Sequence, residues 1–121
     1  MPGKVGQAFS FDGSSAYISI PASASLDVGA GGGMTVECWV NPASLAGEQA
    51  LAEWNNGAQA GAHFWISVSP PYGAGPGSIY INLIDTTGNY HWLSSAAGVV
   101  QTNGFQHVAM TYDQASGVAA L

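Results

Sequence analysis

The sequence predicts an all-β fold, a sandwich of two antiparallel sheets, from three observations. Short segments in which apolar and polar residues alternate recur along the 121 residues, and a period of two is typical of strands with one buried face. Clusters of Gly, Pro, Asn and Asp separate these segments. No window of ten or more residues has the helical period. About eight or nine short strands at such close spacing indicate a sandwich or a barrel.

The first predicted element is a two-strand corner over residues 3–21. Phe9 and Phe11 alternate on one side of its first strand, and Ile18 and Ile20 alternate on one side of its second. The sequence Asp-Gly-Ser-Ser between them is typical of a turn, because Gly tolerates a positive φ and Asp or Ser can bond the nearby backbone. A Gly-rich loop follows.

The clearest strand is MTVECWV at residues 34–40, where Met34, Val36, Cys38 and Val40 share one face. The other predicted strands have their own alternation or turn boundaries: 50–54, 63–69, 78–84, 89–93, 105–112 and 118–121. In the strand at 63–69 the inward residues are Phe64, Ile66 and Val68. The sequence predicts a turn at 55–57, a rigid, solvated loop at 70–77 with Tyr72 at its tip, and a short apolar anchor at Val99 and Val100.

Charge excludes two classes of partner. The chain has one basic residue, Lys4, and a formal net charge of −6. Nucleic-acid binding depends on Lys and Arg contacts to phosphate, and attraction to anionic membranes depends on the same side chains. We therefore expect no nucleic-acid and no membrane partner. The N-terminus has no apolar run of signal-peptide length, and no apolar stretch has the length of a membrane span.

Three segments together resemble a known family: GKVGQAFSFDGSSAYISIP at 3–21, MTVECWVNP at 34–42 and FQHVAMTYDQASGVAAL at 105–121. Their order and spacing are similar to those of laminin G-like domains of the concanavalin A-like lectin/glucanase superfamily, with Phe105 where the family usually has Trp. The resemblance implies one jelly-roll domain over residues 1–121. The 17 Gly, with many Ala, Ser and Trp, are typical of an extracellular, cell-surface or virion module.

One departure from the family concerns the C-terminus. The resemblance implies further strands after Val118, the last of which lies beside the N-terminal strand, and this sequence does not carry them. Three situations are open: the chain is a fragment truncated at the C-terminus, a second copy or another chain completes the sheet, or the N-terminal strand pairs elsewhere. An unpaired apolar strand edge is a template for pairing.

The carboxylates do not form a catalytic pattern. Retaining glycosidases of this superfamily need two carboxyl groups about 5 Å apart. Glu37 has no acidic residue two positions away, and Glu48 and Glu53 lie an odd number of positions apart, so within one strand they would point in opposite directions. We expect no enzymatic activity. His63, His91 and His107 lack the spacing of a zinc site and are predicted to be polar residues on strand faces.

Calcium is the one cofactor that the resemblance implies, because related domains hold Ca²⁺ with loop oxygens. Asp12, beside Gly13, is the predicted ligand. The alternative for Asp12 is capping of its own turn.

Aromatic side chains are the candidate ligand-binding residues, because sugars present C–H faces that pack on rings. The candidates lie opposite the core side of a strand or in and near loops: Trp39, Trp65, Tyr80, Tyr90, Trp92, Trp54 and Tyr72. A row of them would form a glycan platform, a protein contact or a packed outer layer. We expect a non-catalytic recognition module for a glycan or a protein. The alternative is a structural or assembly module, of the adhesin or virion-surface type, whose open edge and aromatics contact other subunits.

Overall fold

A computed structural model of the protein describes residues 1–55, 57, 59–67 and 69–121. Within these residues it contains seven strands and two 3₁₀ turns, Ala24–Leu26 and Val28–Ala30. The strands are β1 Gly33–Val40, β2 Gln49–Asn55, β3 Gly61–Ser67, β4 Ser78–Ile84, β5 Tyr90–Ser94, β6 Gln106–Asp113 and β7 Val118–Ala120. The predicted strands from residue 34 onward agree with these bounds to within two residues.

The strands form two antiparallel sheets. One has three strands in the order β1-β6-β7, and the other has four in the order β2-β3-β4-β5. Each strand of the second sheet pairs with its neighbour along the chain, so short turns are sufficient to connect them. The prediction of an all-β, two-sheet sandwich is confirmed.

Both sheets contribute to one apolar core between their inner faces. Phe64 and Ile66 of β3 and Ile81 of β4 meet Val108 and Met110 of β6 in a buried cluster. Alternation along each strand directs these side chains inward. Between β5 and β6, the Val100 side chain is fully buried, and its amide donates to the carbonyl of Gly77 at 2.8 Å. Val100 is therefore the predicted anchor, whereas Val99 is half exposed.

The prediction of a two-strand corner at residues 3–21 is wrong. The chain makes a narrow turn at residues 1–8, with a single bridge between Pro2 and Gln7, and the described structure has no strand before Gly33. Among the described residues no strand pairs with this segment, so its backbone lacks ladder hydrogen bonds. We call residues 1–21 the N-terminal arm. It leaves seven large apolar side chains more than half exposed: Met1, Val5, Phe9, Phe11, Tyr17, Ile18 and Ile20.

The loop at 70–77 also differs from its prediction. It is not fully solvated, because Gly73 is buried against the four-stranded sheet. Two other predictions fall outside the described residues: the inward position of Val68, and Asn56 in the turn at 55–57. In the part of the chain that the structure describes, no helix combines the length and apolar character needed to cross a bilayer.

Candidate functional site

The strand register places aromatic residues side by side on the outer face of the four-stranded sheet. Trp65 of β3 lies opposite Tyr80 of β4, and Trp92 of β5 lies opposite Asn82, two residues further along β4. Their sequence neighbours Phe64, Ile79 and Ile81 are buried in the core. Since successive side chains alternate between faces, Trp65, Tyr80, Asn82 and Trp92 point away from it.

Four rings form a continuous cluster, which we call the aromatic platform: Trp65, Tyr72, Tyr80 and Trp92. The ring centroids of Trp65, Tyr72 and Tyr80 are 6.0 to 6.1 Å apart, and that of Trp92 is 6.4 Å from Tyr80. These separations lie in the favourable range for aromatic pairs. Tyr80 is at the centre with 6 % of its surface exposed, while Trp92 is 59 % exposed. The platform thus has a buried support and solvent-facing rings around it.

The loop at 70–77 brings Tyr72 onto the platform. The amides of Tyr72 and Gly73 both donate to the carbonyl of Ser69, at 3.2 and 3.1 Å, which bends the chain back over the sheet. A Cβ at Gly73 would lie 2.8 Å from the Cβ of Ser67 and would also overlap the hydroxyl of Ser78. Glycine therefore permits the close approach of loop and sheet that positions the Tyr72 ring.

A polar network fixes Trp65 from the edge of the sheet. The indole Nε1 of Trp65 donates to Oε1 of Glu53, and Nδ1 of His63 lies 2.6 Å from Oε2 of the same carboxylate. Nε2 of His63 lies 3.1 Å from the carbonyl oxygen of Gln59. Both oxygens of Glu53 are thereby engaged in holding neighbouring side chains.

Two buried polar atoms beneath the outer face have no hydrogen-bond partner in the described structure: Oδ1 of Asn82 and Oγ of Ser67. Asn82 is 6 % exposed and lies between His63 of β3 and Trp92 of β5. A buried polar atom without a partner costs about 1–3 kcal/mol, so such an atom next to exposed rings points to a missing donor. The sequence predictions did not include Asn82, although its alternation with Ile81 and Leu83 places it on the same face as Tyr80.

Electrostatic effects act on the phenol of Tyr80, at the centre of the platform. Burial raises the pKa of the Tyr80 phenol, and Tyr72, the carboxylate of Glu48 and Tyr90 raise that pKa further. At another end of the sheet, Tyr90 borders a depression of about 290 Å³ that is also lined by Gln59, Ile84 and Asp85. The hydroxyl of Tyr90 is 3.5 Å from Oε1 of Gln59. Tyr90 is therefore an extension of the outer face beyond the four rings.

Two predicted site residues lie away from the platform. Trp54 of β2 lies opposite Ala62, on the inner face of the four-stranded sheet, and is half-buried. Trp39 is on the outer face of the other sheet, where its ring centroid is 5.2 Å from that of His107. Nζ of Lys4 is 5.4 Å from the centre of the Trp39 ring. The structure thus unites Trp65, Tyr72, Tyr80 and Trp92, with Tyr90 at their border.

The surroundings of Asp12 do not fit a calcium ligand. Its Oδ1 accepts hydrogen bonds from the amides of Ser14, Ser15 and Ala16 at 2.8 to 2.9 Å, and Oδ2 accepts one from the Ser15 hydroxyl. These bonds, led by that of the Ala16 amide, hold the pKa of Asp12 well below its usual range. Amide protons around a carboxylate repel a cation. Among the described residues no three His, Cys, Asp or Glu side chains converge. The geometry matches the turn-capping alternative.

A protein-family comparison agrees with this architecture. The laminin G model described as "Concanavalin A-like lectin/glucanases superfamily" matches residues 12–121. The chain belongs to this superfamily, as its two antiparallel sheets also indicate, and its class is that of binding modules for carbohydrate or protein. Laminin G-like domains are typically extracellular. No curated protein and no solved structure matches the chain.

Proposed function

We propose that the protein is a non-catalytic glycan-recognition module and that the aromatic platform is its binding surface. The observation that carries this proposal is the contact of four rings on one outer face, with Trp92 exposed and Tyr80 buried beneath. Apolar C–H faces of sugars pack on such rings, and polar groups at the border fix orientation. Asn82 and His63 supply polar groups within the same face.

The arrangement of the carboxylates supports recognition without catalysis. Both oxygens of Glu53 accept contacts from Trp65 and His63. Glu37 lies on the other sheet, where Oε2 is 3.4 Å from Nε2 of His107. Retaining hydrolysis needs two carboxyl groups facing one bond about 5 Å apart. We expect no release of reducing sugar when the protein is incubated with any oligosaccharide that it binds.

The test is a glycan array followed by titration of the best oligosaccharide against three proteins: the unmodified chain, Trp92→Ala and Trp39→Ala. Both variants remove an exposed indole, but only Trp92 is on the platform. We expect Trp92→Ala to weaken binding at least about tenfold, as the loss of an exposed aromatic hot-spot contact does, and Trp39→Ala to leave it unchanged. Tyr72→Ala provides a second platform variant, and thermal unfolding verifies that each variant folds.

Equal loss of affinity in Trp92→Ala and Trp39→Ala, or no array signal for the unmodified protein, would overturn the proposal. The array is run with added Ca²⁺ and with chelator. Because Asp12 is surrounded by N–H and O–H donors, we expect the same signal in both. A signal that requires Ca²⁺ would restore the sequence prediction for Asp12.

A second candidate function is assembly, favoured by the exposed N-terminal arm. Phe9, Tyr17 and Ile20 are among its large apolar side chains that are more than half exposed, and clustered exposed apolar groups mark protein contacts. A second copy or another chain that covers the arm would bury them. Light scattering after size-exclusion chromatography of the unmodified chain and of a Phe9→Ser, Ile20→Ser variant tests this. If the unmodified protein is monomeric at high concentration, self-assembly through the arm is excluded.

The proposed location follows from the class of module. Glycan recognition by an acidic, lysine-poor surface is consistent with an extracellular, cell-surface or virion setting.

A further inference from the structure

Carboxylates border the aromatic platform at three places. Glu53 of β2 holds the Trp65 indole. Glu48 lies two residues before Ala50, which pairs with Trp65 in the strand register, and its carboxylate acts electrostatically on the Tyr80 phenol. Asp85, which follows β4, lines the depression beside Tyr90. A ligand that covers the four rings and extends toward Tyr90 therefore passes close to negative charges.

No Lys or Arg side chain balances these charges at the platform. The chain has one Lys or Arg in total, and Nζ of this residue, Lys4, lies 5.4 Å from the Trp39 ring on the other sheet. Two histidines do contact the carboxylates: His63 lies 2.6 Å from Glu53, and His91 lies 3.3 Å from Asp85.

Asp85 keeps its charge over the ordinary pH range. Its carboxylate accepts hydrogen bonds from the Asn89 amide, the Thr87 hydroxyl and the Asn89 side chain. These bonds, with that of the Asn89 amide the largest, hold the pKa of Asp85 well below its usual range.

The unpartnered Oδ1 of Asn82 also disfavours an acidic group on the ligand. It lies in the register between His63 and Trp92, and it needs a hydrogen-bond donor. Sugar hydroxyl and N–H groups donate, whereas an ionised carboxylate or sulfate only accepts. Acidic groups would therefore meet repulsion from the border, and they cannot themselves donate a hydrogen bond to Oδ1 of Asn82.

We propose that the platform selects glycans without carboxylate or sulfate groups, namely neutral sugars and amino sugars, and that Glu48, Glu53 and Asp85 exclude acidic ones. The proposal rests on the glycan-binding function above and specifies its substrate class. Like charges brought together at a partly desolvated surface are a means of rejecting the wrong partner.

Matched oligosaccharides of equal length test the selectivity. The neutral probes are cellohexaose, mannohexaose and N-acetylchitohexaose, the amino-sugar probe is deacetylated chitohexaose, and the acidic probes are hexagalacturonate and a heparin hexasaccharide. Each is titrated against the full chain at low ionic strength, followed by tryptophan fluorescence. We expect at least one neutral or amino-sugar probe to bind at least about tenfold more tightly than any acidic probe.

The outcomes separate this proposal from the proposed function. Binding of an acidic probe as tight as that of the neutral ones overturns the selectivity and leaves glycan recognition standing. Binding of no probe in any class, together with a silent array, overturns both.

Charge reversal provides the matched pair of variants. Glu48→Lys changes the charge at the platform, and Glu37→Lys makes the same change on the outer face of the other sheet. We expect Glu48→Lys to strengthen binding of the heparin probe about two- to fivefold, as exposed charge pairs do, with the gain lost at high salt. Glu37→Lys should not change it. An equal gain in both variants would attribute the exclusion to net charge and overturn the role of the platform border.

Discussion

The outer faces of the two sheets both carry an exposed tryptophan, but only one of them forms an aromatic surface. On the four-stranded sheet, Trp65, Tyr80 and Trp92 come from adjacent strands and touch. On the three-stranded sheet, His107 is the one ring among the described residues that contacts Trp39, and Nζ of Lys4 lies over the Trp39 ring. Strand register, more than aromatic content, therefore decides which outer face gathers its rings into one surface.

The largest expected effect concerns the core that supports the platform. Ile81 is fully buried between the sheets, so Ile81→Ala should lower the free energy of unfolding by about 2–5 kcal/mol. Trp92→Ala, on the outer face of the adjacent strand, should change it by less than about 1 kcal/mol. Urea unfolding of both variants checks this. A larger loss in Trp92→Ala would mean that the platform is part of the core.

A smaller effect is expected at the loop that delivers Tyr72. Gly73→Ala places a methyl group against Ser67 and Ser78, which should cost about 1–3 kcal/mol and weaken oligosaccharide binding as Tyr72 moves off Trp65. Gly47→Ala is the control, since a Cβ there meets no atom within 4 Å. If Gly73→Ala binds and unfolds like Gly47→Ala, the close approach of the loop is not required.

Acid should loosen the Asp85 turn. The pKa of Asp85 is lowered in the folded state, so its contribution is fully present above the unfolded value of about 3.9 and is lost as the pH falls toward the folded value. Asp85→Asn should therefore make the dependence of unfolding free energy on pH less steep below about pH 4. Asp12→Asn is the comparison: the pKa of Asp12 is also lowered, but no strand of the described structure pairs with its arm, so we expect global unfolding to be unaffected. Equal slopes for unmodified protein and Asp85→Asn would contradict this.

The smallest expected effect is at Lys4. Lys4→Ala removes the contact with the Trp39 ring, which at an exposed site contributes about 0.5–1 kcal/mol. In Lys4→Ala we expect only the fluorescence of Trp39 to change. The affinity for the oligosaccharide should be the same as that of the unmodified protein. A change in affinity would link the two outer faces and break the distinction between them.

The sequence was sufficient to predict the strands of both sheets because most have a two-residue period and the others lie between turn residues. The same period predicted that Trp65 and Tyr80 point outward, which the register confirms. It failed for the N-terminal arm, where Phe9 and Phe11 alternate but no strand of the described structure pairs with them. Local pattern predicts the capacity to form a strand, whereas a ladder needs a partner.

Residue proximity within the site was less predictable. Trp54 and Trp39 have the same side chain as Trp92. Strand pairing places Trp39 on the other sheet and Trp54 on the inner face, away from the platform. The role of Gly73 depends on a fold of the loop that no local pattern encodes. Asn82 was within reach of prediction, since it alternates with Ile81, but its missing hydrogen bond becomes visible only in three dimensions.

The most direct test follows the indole N–H signals of the four tryptophans by nuclear magnetic resonance during titration with the oligosaccharide that binds best. We expect the signals of Trp65 and Trp92 to shift with one common affinity and those of Trp39 and Trp54 to stay in place. Shifts confined to Trp39, or equal shifts of all four signals, would contradict the assignment of the aromatic platform as the binding surface.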